Sequence, residues 1–289
     1  MNKQVFLYPI IDYNMKLDLQ KIDSFHKNGY IVIENFFNSE ELDDFKSSFH
    51  KIVKSVLEKS SLKDISYDFS KNLNDFDDAI IKLEKYHPEL IGEIYDTIAY
   101  TPSFLRLIAK KDYEIIISQL FNEDYVPFYL TTNRCRIDPP QVTRRSTDWH
   151  QETFYTIPQS KFIQTWGPLV RDIKTENGAI EICIASHESG TIPQNVNLSP
   201  QYPTPYSIDE SIVSKYEKKS IELELGSILF FSPTLFHRSG FNSSDTTRFS
   251  IIGMYHNTKN PLFNAPKINF SYRNMGPDEY YKNYNFNTQ

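Results

Sequence analysis

Cysteine is almost missing from this chain: Cys135 and Cys183 are the only two in 289 residues, too few for a disulfide framework. No apolar h-region opens the sequence, so the expectation is a pair of reduced, buried packing thiols in a cytoplasmic protein. No apolar run approaches the length of a membrane span, which argues against a helical membrane protein. Long basic runs are absent too, and the formal net charge is -6. Nucleic acid and anionic membrane surfaces are therefore poor candidate partners. No internal repeat is visible.

What is present is a foldable chain. Hydrophobic residues make up 39% and charged residues 24%, which excludes a disordered or fibrous protein. The length allows one large domain or two small ones, with ample material for a core. Aromatic residues reach 15%, with 21 Phe and 19 Tyr, and suit a β-rich core or an aromatic-lined pocket.

The first half carries a helical period. Asn38 followed by Glu41 forms a capping-box pattern, and Leu42, Phe45, Phe49, Ile52, Val53 and Val56 then recur as one apolar stripe. A shorter stripe runs through Phe76, Ala79, Ile80 and Leu83, and Thr101-Pro102 marks a third helix start. Tyr30-Ile31-Val32-Ile33 has the texture of a short strand. From about residue 125 the texture becomes short alternating runs separated by turn residues. They predict strands over 126–137, 148–156, 162–170, 178–184, 220–225, 227–232, 234–238 and 247–256, in a sandwich or closed jelly roll. The stretch 190–219, rich in Pro, Ser, Asn and Gln, interrupts the series and is expected to act as a lid.

The sharpest pattern is His150-Gln151-Glu152 with His237 and Arg248 far downstream. On a strand, residues i and i+2 share a face, so His150 and Glu152 can hold one ion while Gln151 points away. Two histidines and a carboxylate leave three positions of an octahedral metal open, as non-haem Fe(II) oxygenases require. Taken singly each residue has a plainer explanation. The first pair fits an ordinary polar strand face, and His237 fits a satisfied core histidine. Arg248, inside an apolar run, needs a partner; a dicarboxylate ligand or a structural ion pair would serve.

Four ordered segments resemble the phytanoyl-CoA dioxygenase family of Fe(II)- and 2-oxoglutarate-dependent oxygenases. Phe25-His26-Lys27-Asn28-Gly29-Tyr30-Ile31-Val32-Ile33 with Phe36-Phe37 is similar to the family's opening segment. Trp149-His150-Gln151-Glu152 resembles its Trp-His-Gln-Asp motif. Asn177-Gly178-Ala179 through Ala185-Ser186-His187-Glu188-Ser189-Gly190 resembles its Asn-Gly-Pro to Gly-Ser-His-x-x-Gly segment. His237 through Ser239, Asn242, Ser244 and Arg248 is similar to its distal H-x-S-x-x-N-x-S-x-x-x-R pattern.

The resemblance implies that His150, Glu152 and His237 bind iron, and that Arg248 and Ser239 hold the distal carboxylate of 2-oxoglutarate. It puts Trp166 beside the co-substrate, brings Asn133 from a neighbouring strand, and gives His187 a structural role. Chain and family differ at Glu152, where the family has Asp, and at Ala185, where it often has Gly. A halogenase would need Gly or Ala at position 152, which Glu152 argues against. The implied reaction consumes O2 and 2-oxoglutarate, releases succinate and CO2, and most simply hydroxylates a C–H bond of a small molecule. Arg134, Arg136, Arg144 and Arg145 stand just before the metal motif and would meet an anionic substrate or form surface ion pairs. A non-catalytic jelly-roll binding protein is the rival of a different class, and desaturation, ring closure or epimerisation are rival outcomes of the same oxidant.

The expectation is one catalytic domain over 1–289. It is mainly β with flanking α: N-terminal helices (about 1–124) buttress a double-stranded β-helix, or jelly-roll, core (about 125–256), and an irregular tail (257–289) follows. Oligomeric state is not readable.

Overall fold

The computed structural model describes residues 16–60, 73–124, 126–152, 160–196 and 206–263, with backbone alone at 73–76, 132 and 133. Helix α1 (Leu19–Asn28) leads into strand β1 (Tyr30–Ile33), and α2 (Ser39–Lys59) follows. The capping box is present: Asn38 Oδ1 accepts from the Glu41 N–H, and Glu41 Oε2 accepts from the Asn38 N–H, both at 2.9 Å. Helices α3 (Leu73–Tyr86), α4 (Pro88–Ile98), α5 (Pro102–Ile108) and α6 (Lys111–Leu120) complete the helical part. Pro102 sits at the first position of α5 behind the Thr101 cap, as the sequence predicts. Helices α1, α4 and α6 go beyond the sequence prediction.

The β region comprises β2 (Phe128–Asp138), β3 (Phe162–Pro168), β4 (Ile180–Cys183), β5 (Asn195–Val196), β6 (Tyr206–Ser207), the short α7 (Glu210–Val213), β7 (Lys218–Ile221), β8 (Ile228–Phe231), β9 (His237–Arg238) and β10 (Arg248–Asn257). One antiparallel sheet has the order β1-β8-β3-β10-β2, and a second has the order β7-β4-β9. An antiparallel bridge between His150 and His237 extends the second sheet. The two sheets enclose a core of Trp166, Leu229 and Phe231 from the first, and Ile180, Ile182 and Ile221 from the second. This is the expected jelly roll. Strand β1, from the helical part, forms an edge of the larger sheet.

The larger sheet is read by its period of two. Phe249, Ile251 and Tyr255 of β10, Cys135 and Ile137 of β2, and Ile228 and Phe230 of β8 pack with the apolar stripes of α2, α4, α5 and α6. Phe249 meets Phe49 of α2 edge-on, ring centroids 5.3 Å apart. Burying each such side chain contributes roughly 2 kcal/mol. The alternate residues, Arg248, Ile252 and Met254 of β10, Arg134, Arg136 and Asp138 of β2, and Gln164 and Trp166 of β3, belong to the opposite face. Gly253 breaks the helix-facing row because α5 comes close: a Cβ there would lie 3.0 Å from Ile108 Cδ1.

Two predicted segments differ in detail. The strand over 148–156 reduces to the single bridge at His150, and residues 153–159 lie outside the described part. The chain leaves the ladder there because Gln151 bonds to loops instead. Its Nε2 donates to the carbonyls of Gly190 and Thr234, each at 2.7 Å, and its Oε1 accepts from the Ile192 N–H at 3.0 Å. In the expected lid, β5 pairs with β6 and α7 follows, while 197–205 lie outside the described residues. Both cysteines are buried and free, and burial pushes the Cys183 thiol up to about 11. No helix among the described residues is long and apolar enough to cross a membrane.

Candidate functional site

His150 and His237 are brought side by side by their backbone bridge, with ring centroids 4.3 Å apart. Glu152 reaches the same point, because its N–H is fixed by the Pro233 carbonyl at 3.0 Å. Its Oε2 lies 3.4 Å from His150 Nε2 and 3.5 Å from His237 Nε2. Among the described residues these three are the group whose ligand atoms converge as a metal requires, all within 4.8 Å of one another.

The tautomers are set from behind. His150 Nδ1 lies 2.7 Å from the Asp148 carbonyl and His237 Nδ1 lies 2.8 Å from the Leu235 carbonyl. A carbonyl can only accept, so each Nδ1 carries the proton and each Nε2 presents its lone pair inward. Burial pushes the Glu152 carboxyl up, but His150 and His237, when protonated, outweigh burial and hold it well below the usual carboxylate range; in their neutral form the place of those protons is open to a cation. Burial lowers the His237 pKa and His150 lowers it further, against the pull of Glu152. Two neutral imidazoles and one ionised carboxylate are a donor set that fits Fe(II) and leaves half its coordination sphere open.

The site opens into a cavity of ≈ 530 Å³. Its wall takes Arg134, Arg136 and Asp138 from β2, Gln164 and Trp166 from β3, Ile252 and Met254 from β10, and Ile91, Gly92 and Tyr95 from α4. Arg248 lies behind this wall, 2% exposed, and donates from Nη2 to Asp138 Oδ2 at 2.8 Å and to Ser239 Oγ at 2.9 Å. Burial lowers its pKa, opposed by the Asp138 charge. Trp166 stands beside it, its ring 6.0 Å from the guanidinium carbon. Gly178 explains the Asn-Gly element: its φ is +90°, and a Cβ would lie 2.5 Å from Arg248 Nη1. Asn242, from the distal pattern, donates to the backbone carbonyl of Asp138 at 2.9 Å.

The four arginines read as a cluster in the sequence are separated by their partners. Arg136 binds Asp138 through Nε and Nη2 at 3.0–3.2 Å. Arg144 and Arg145 both donate to the buried Glu84 of α3. The Arg134 side chain makes no hydrogen bond or ion pair among the described residues. The Asn133 side chain lies outside them. His187 bonds through Nε2 to the His26 carbonyl at 2.9 Å, away from His150, Glu152 and His237, as a structural residue would.

Sequence reasoning missed Asp138, Glu84 and Gln164. Gln164 Nε2 lies 3.4 Å from Glu152 Oε2, and its Oε1 is buried without a hydrogen-bond partner among the described residues. Asp138 and Gln164 had a readable signal: each stands two residues from a singled-out position, Arg136 or Trp166, on the same strand face. Glu84 had none, since it lies 60 residues from Arg144.

The comparisons with known proteins agree with this geometry. The family model described as phytanoyl-CoA dioxygenase (PhyH) matches residues 25–250. The peroxisomal phytanoyl-CoA dioxygenase of Bos taurus is 20% identical over 249 residues, covering 82% of this chain and 68% of that protein. Among solved structures, the epimerase SnoN from nogalamycin biosynthesis, in complex with Fe3+, alpha ketoglutarate and nogalamycin RO, superposes with a TM-score of 0.57. It is 14% identical, over 86% of this chain and 90% of that one. EctD from S. alaskensis, solved with 2-oxoglutarate and 5-hydroxyectoine, gives 0.53 at 16% identity over 88% and 82%. The carbocyclase SnoK gives 0.52 at 17% over 83% and 84%. A converged His-Glu-His group in a jelly roll, under a family match spanning most of the chain, makes this protein a member of the phytanoyl-CoA dioxygenase (PhyH) family of iron- and 2-oxoglutarate-dependent oxygenases.

Proposed function

We propose that the enzyme hydroxylates an unactivated C–H bond of a small anionic metabolite. One oxygen atom of O2 enters the product and the other enters succinate, formed from 2-oxoglutarate with loss of CO2. His150, Glu152 and His237 would hold the iron, while Arg248 and Ser239 anchor the co-substrate beside Trp166. Iron with 2-oxoglutarate and O2 supplies the oxidant; the protein supplies binding, orientation and exclusion of water.

The observation that carries this reading is the convergence of three metal-ligand atoms at the wall of a cavity that also bears arginines. Arg134 supports the anionic class, since it lines that cavity with no ion-pair partner among the described residues. Ring closure and epimerisation, the activities for which SnoK and SnoN are named, would begin from the same oxidant and diverge according to how the substrate lies at the metal.

The test is an anaerobic titration with Fe(II) and 2-oxoglutarate, following the visible metal-to-ligand charge-transfer band in wild type and His150→Ala. A band that the variant loses supports the site. Anionic metabolites that stimulate succinate release then identify the substrate. A product heavier by one oxygen atom means hydroxylation, and one lighter by two hydrogens means desaturation or ring closure. No band from folded wild type would overturn the proposal.

A further inference from the structure

The arginines around the cavity do not share one task. Arg144 and Arg145 are committed to Glu84, and Arg134 lines the wall without an ion-pair partner among the described residues. Arg136 is different, because it shares Asp138 with Arg248. We propose that Arg136 is a second anchor for the distal carboxylate of 2-oxoglutarate, and that Asp138 is the positioning residue that aligns both guanidiniums for it. This rests on the oxygenase reading of the site.

Charge is the first argument. Two guanidiniums meet one carboxylate, and Arg248 and Asp138 are 2% and 3% exposed. Burial would raise the Asp138 pKa, yet the charges of Arg136 and Arg248 hold it at about 2, so the carboxylate is ionised. The charge of Glu152 also reaches Arg136, but Glu152 is the carboxylate that a bound metal would take. With a metal in place the two guanidiniums and Asp138 would keep one positive charge, a costly state beside buried groups unless an anion completes it. One further carboxylate gives a neutral set of two guanidiniums and two carboxylates.

Access is the second argument. Arg248 already gives Nε and Nη2 to Asp138 and Nη2 to Ser239, and its Nη1 faces the Gly240 carbonyl at 3.4 Å. It does not line the cavity, whereas Arg136, Asp138 and Ser239 do. A carboxylate entering from the cavity meets Arg136 on the way to Arg248. Arg136 spends Nε and Nη2 on Asp138 and the Arg145 carbonyl, while its Nη1 has no hydrogen-bond partner among the described residues. Asn242 holds the Asp138 backbone, so Asp138 stays between the two arginines as the second carboxylate arrives.

Binding of 2-oxoglutarate to the anaerobic Fe(II) protein, read from the charge-transfer band and by calorimetry, tests the proposal in wild type, Arg136→Gln and Arg136→Lys. Arg136→Gln should raise the Kd at least about ten-fold without changing Fe(II) affinity, and Arg136→Lys, a point charge without the fork, should fall between. Pyruvate keeps the 2-oxo acid but lacks the distal carboxylate, and should bind wild type and variant alike. Wild-type 2-oxoglutarate affinity in Arg136→Gln, or equal weakening of pyruvate, overturns the assignment. If Arg136→Gln fails to fold, Arg136→Lys decides: a raised Kd supports the proposal and an unchanged one overturns it. Failure of wild type itself to bind 2-oxoglutarate would instead sink the oxygenase reading of the site.

Discussion

His150 and His237 hold each other by the backbone: the N–H of each donates to the carbonyl of the other, at 3.0 and 3.1 Å. Two of the three candidate metal ligands are thus one rung of a ladder that needs neither imidazole. His237→Ala is expected to fold without metal with stability within about 2 kcal/mol of wild type. Added Fe(II) should raise the melting temperature of wild type and leave the variant where it was. Anaerobic thermal melts with and without Fe(II) check both statements.

Gln164 donates to the carboxylate oxygen of Glu152 that also faces both imidazoles. Outer partners of metal ligands typically carry a factor of 10 to 100 in affinity. Gln164→Leu should therefore weaken Co(II) or Fe(II) binding by at least about ten-fold while the fold persists. Unchanged metal affinity in a competition titration would remove Gln164 from the site's support.

Glu84 takes both Arg144 and Arg145 and ties α3 to the loop before the metal motif. Removing the carboxylate that both arginines share should cost about 2 kcal/mol. Glu84→Gln is expected to lower the denaturation midpoint and leave 2-oxoglutarate affinity unchanged. A large loss of co-substrate binding with intact stability would instead put these arginines in contact with ligand.

His256 is buried between Ser160 and Thr131, 2.5 and 3.0 Å from its ring nitrogens, and stacks on Phe162. Burial lowers its pKa from 6.5 to about 4. The unfolded chain takes up the proton first as pH falls, so stability present above pH 6.5 is lost on the way down to about 4. Denaturant midpoints across that interval should fall more for wild type than for His256→Gln. Parallel curves would show that His256 does not carry this dependence.

Local patterns were legible in the sequence where chemistry is local. The Asn38–Glu41 cap, the start of α5 at Pro102 and the strand character of β10 all rest on neighbours a few residues away. The His150, Glu152 and His237 set was legible because its residue types are so restricted. The Asp138 bridge was not: Arg248 lies 110 residues away and meets it only through the β2–β10 register. The reach of β1 into the larger sheet was hidden for the same reason. Ala185 shows the opposite case. Where the family often has Gly, this chain holds Ala at a φ of +60°, so the resemblance pointed to a left-handed turn that the residue itself would not.

The two-residue alternation of β10 amounts to a division of labour written into numerical parity. Phe249, Ile251 and Tyr255 face the helices, whereas Arg248, Ile252 and Met254 belong to the other face, toward the cavity and Asp138. Substitutions at odd positions of this strand should register in yield and melting temperature. Those at Arg248, Ile252 and Met254 should register in what the enzyme binds, so specificity can drift along one row while the other keeps the scaffold intact.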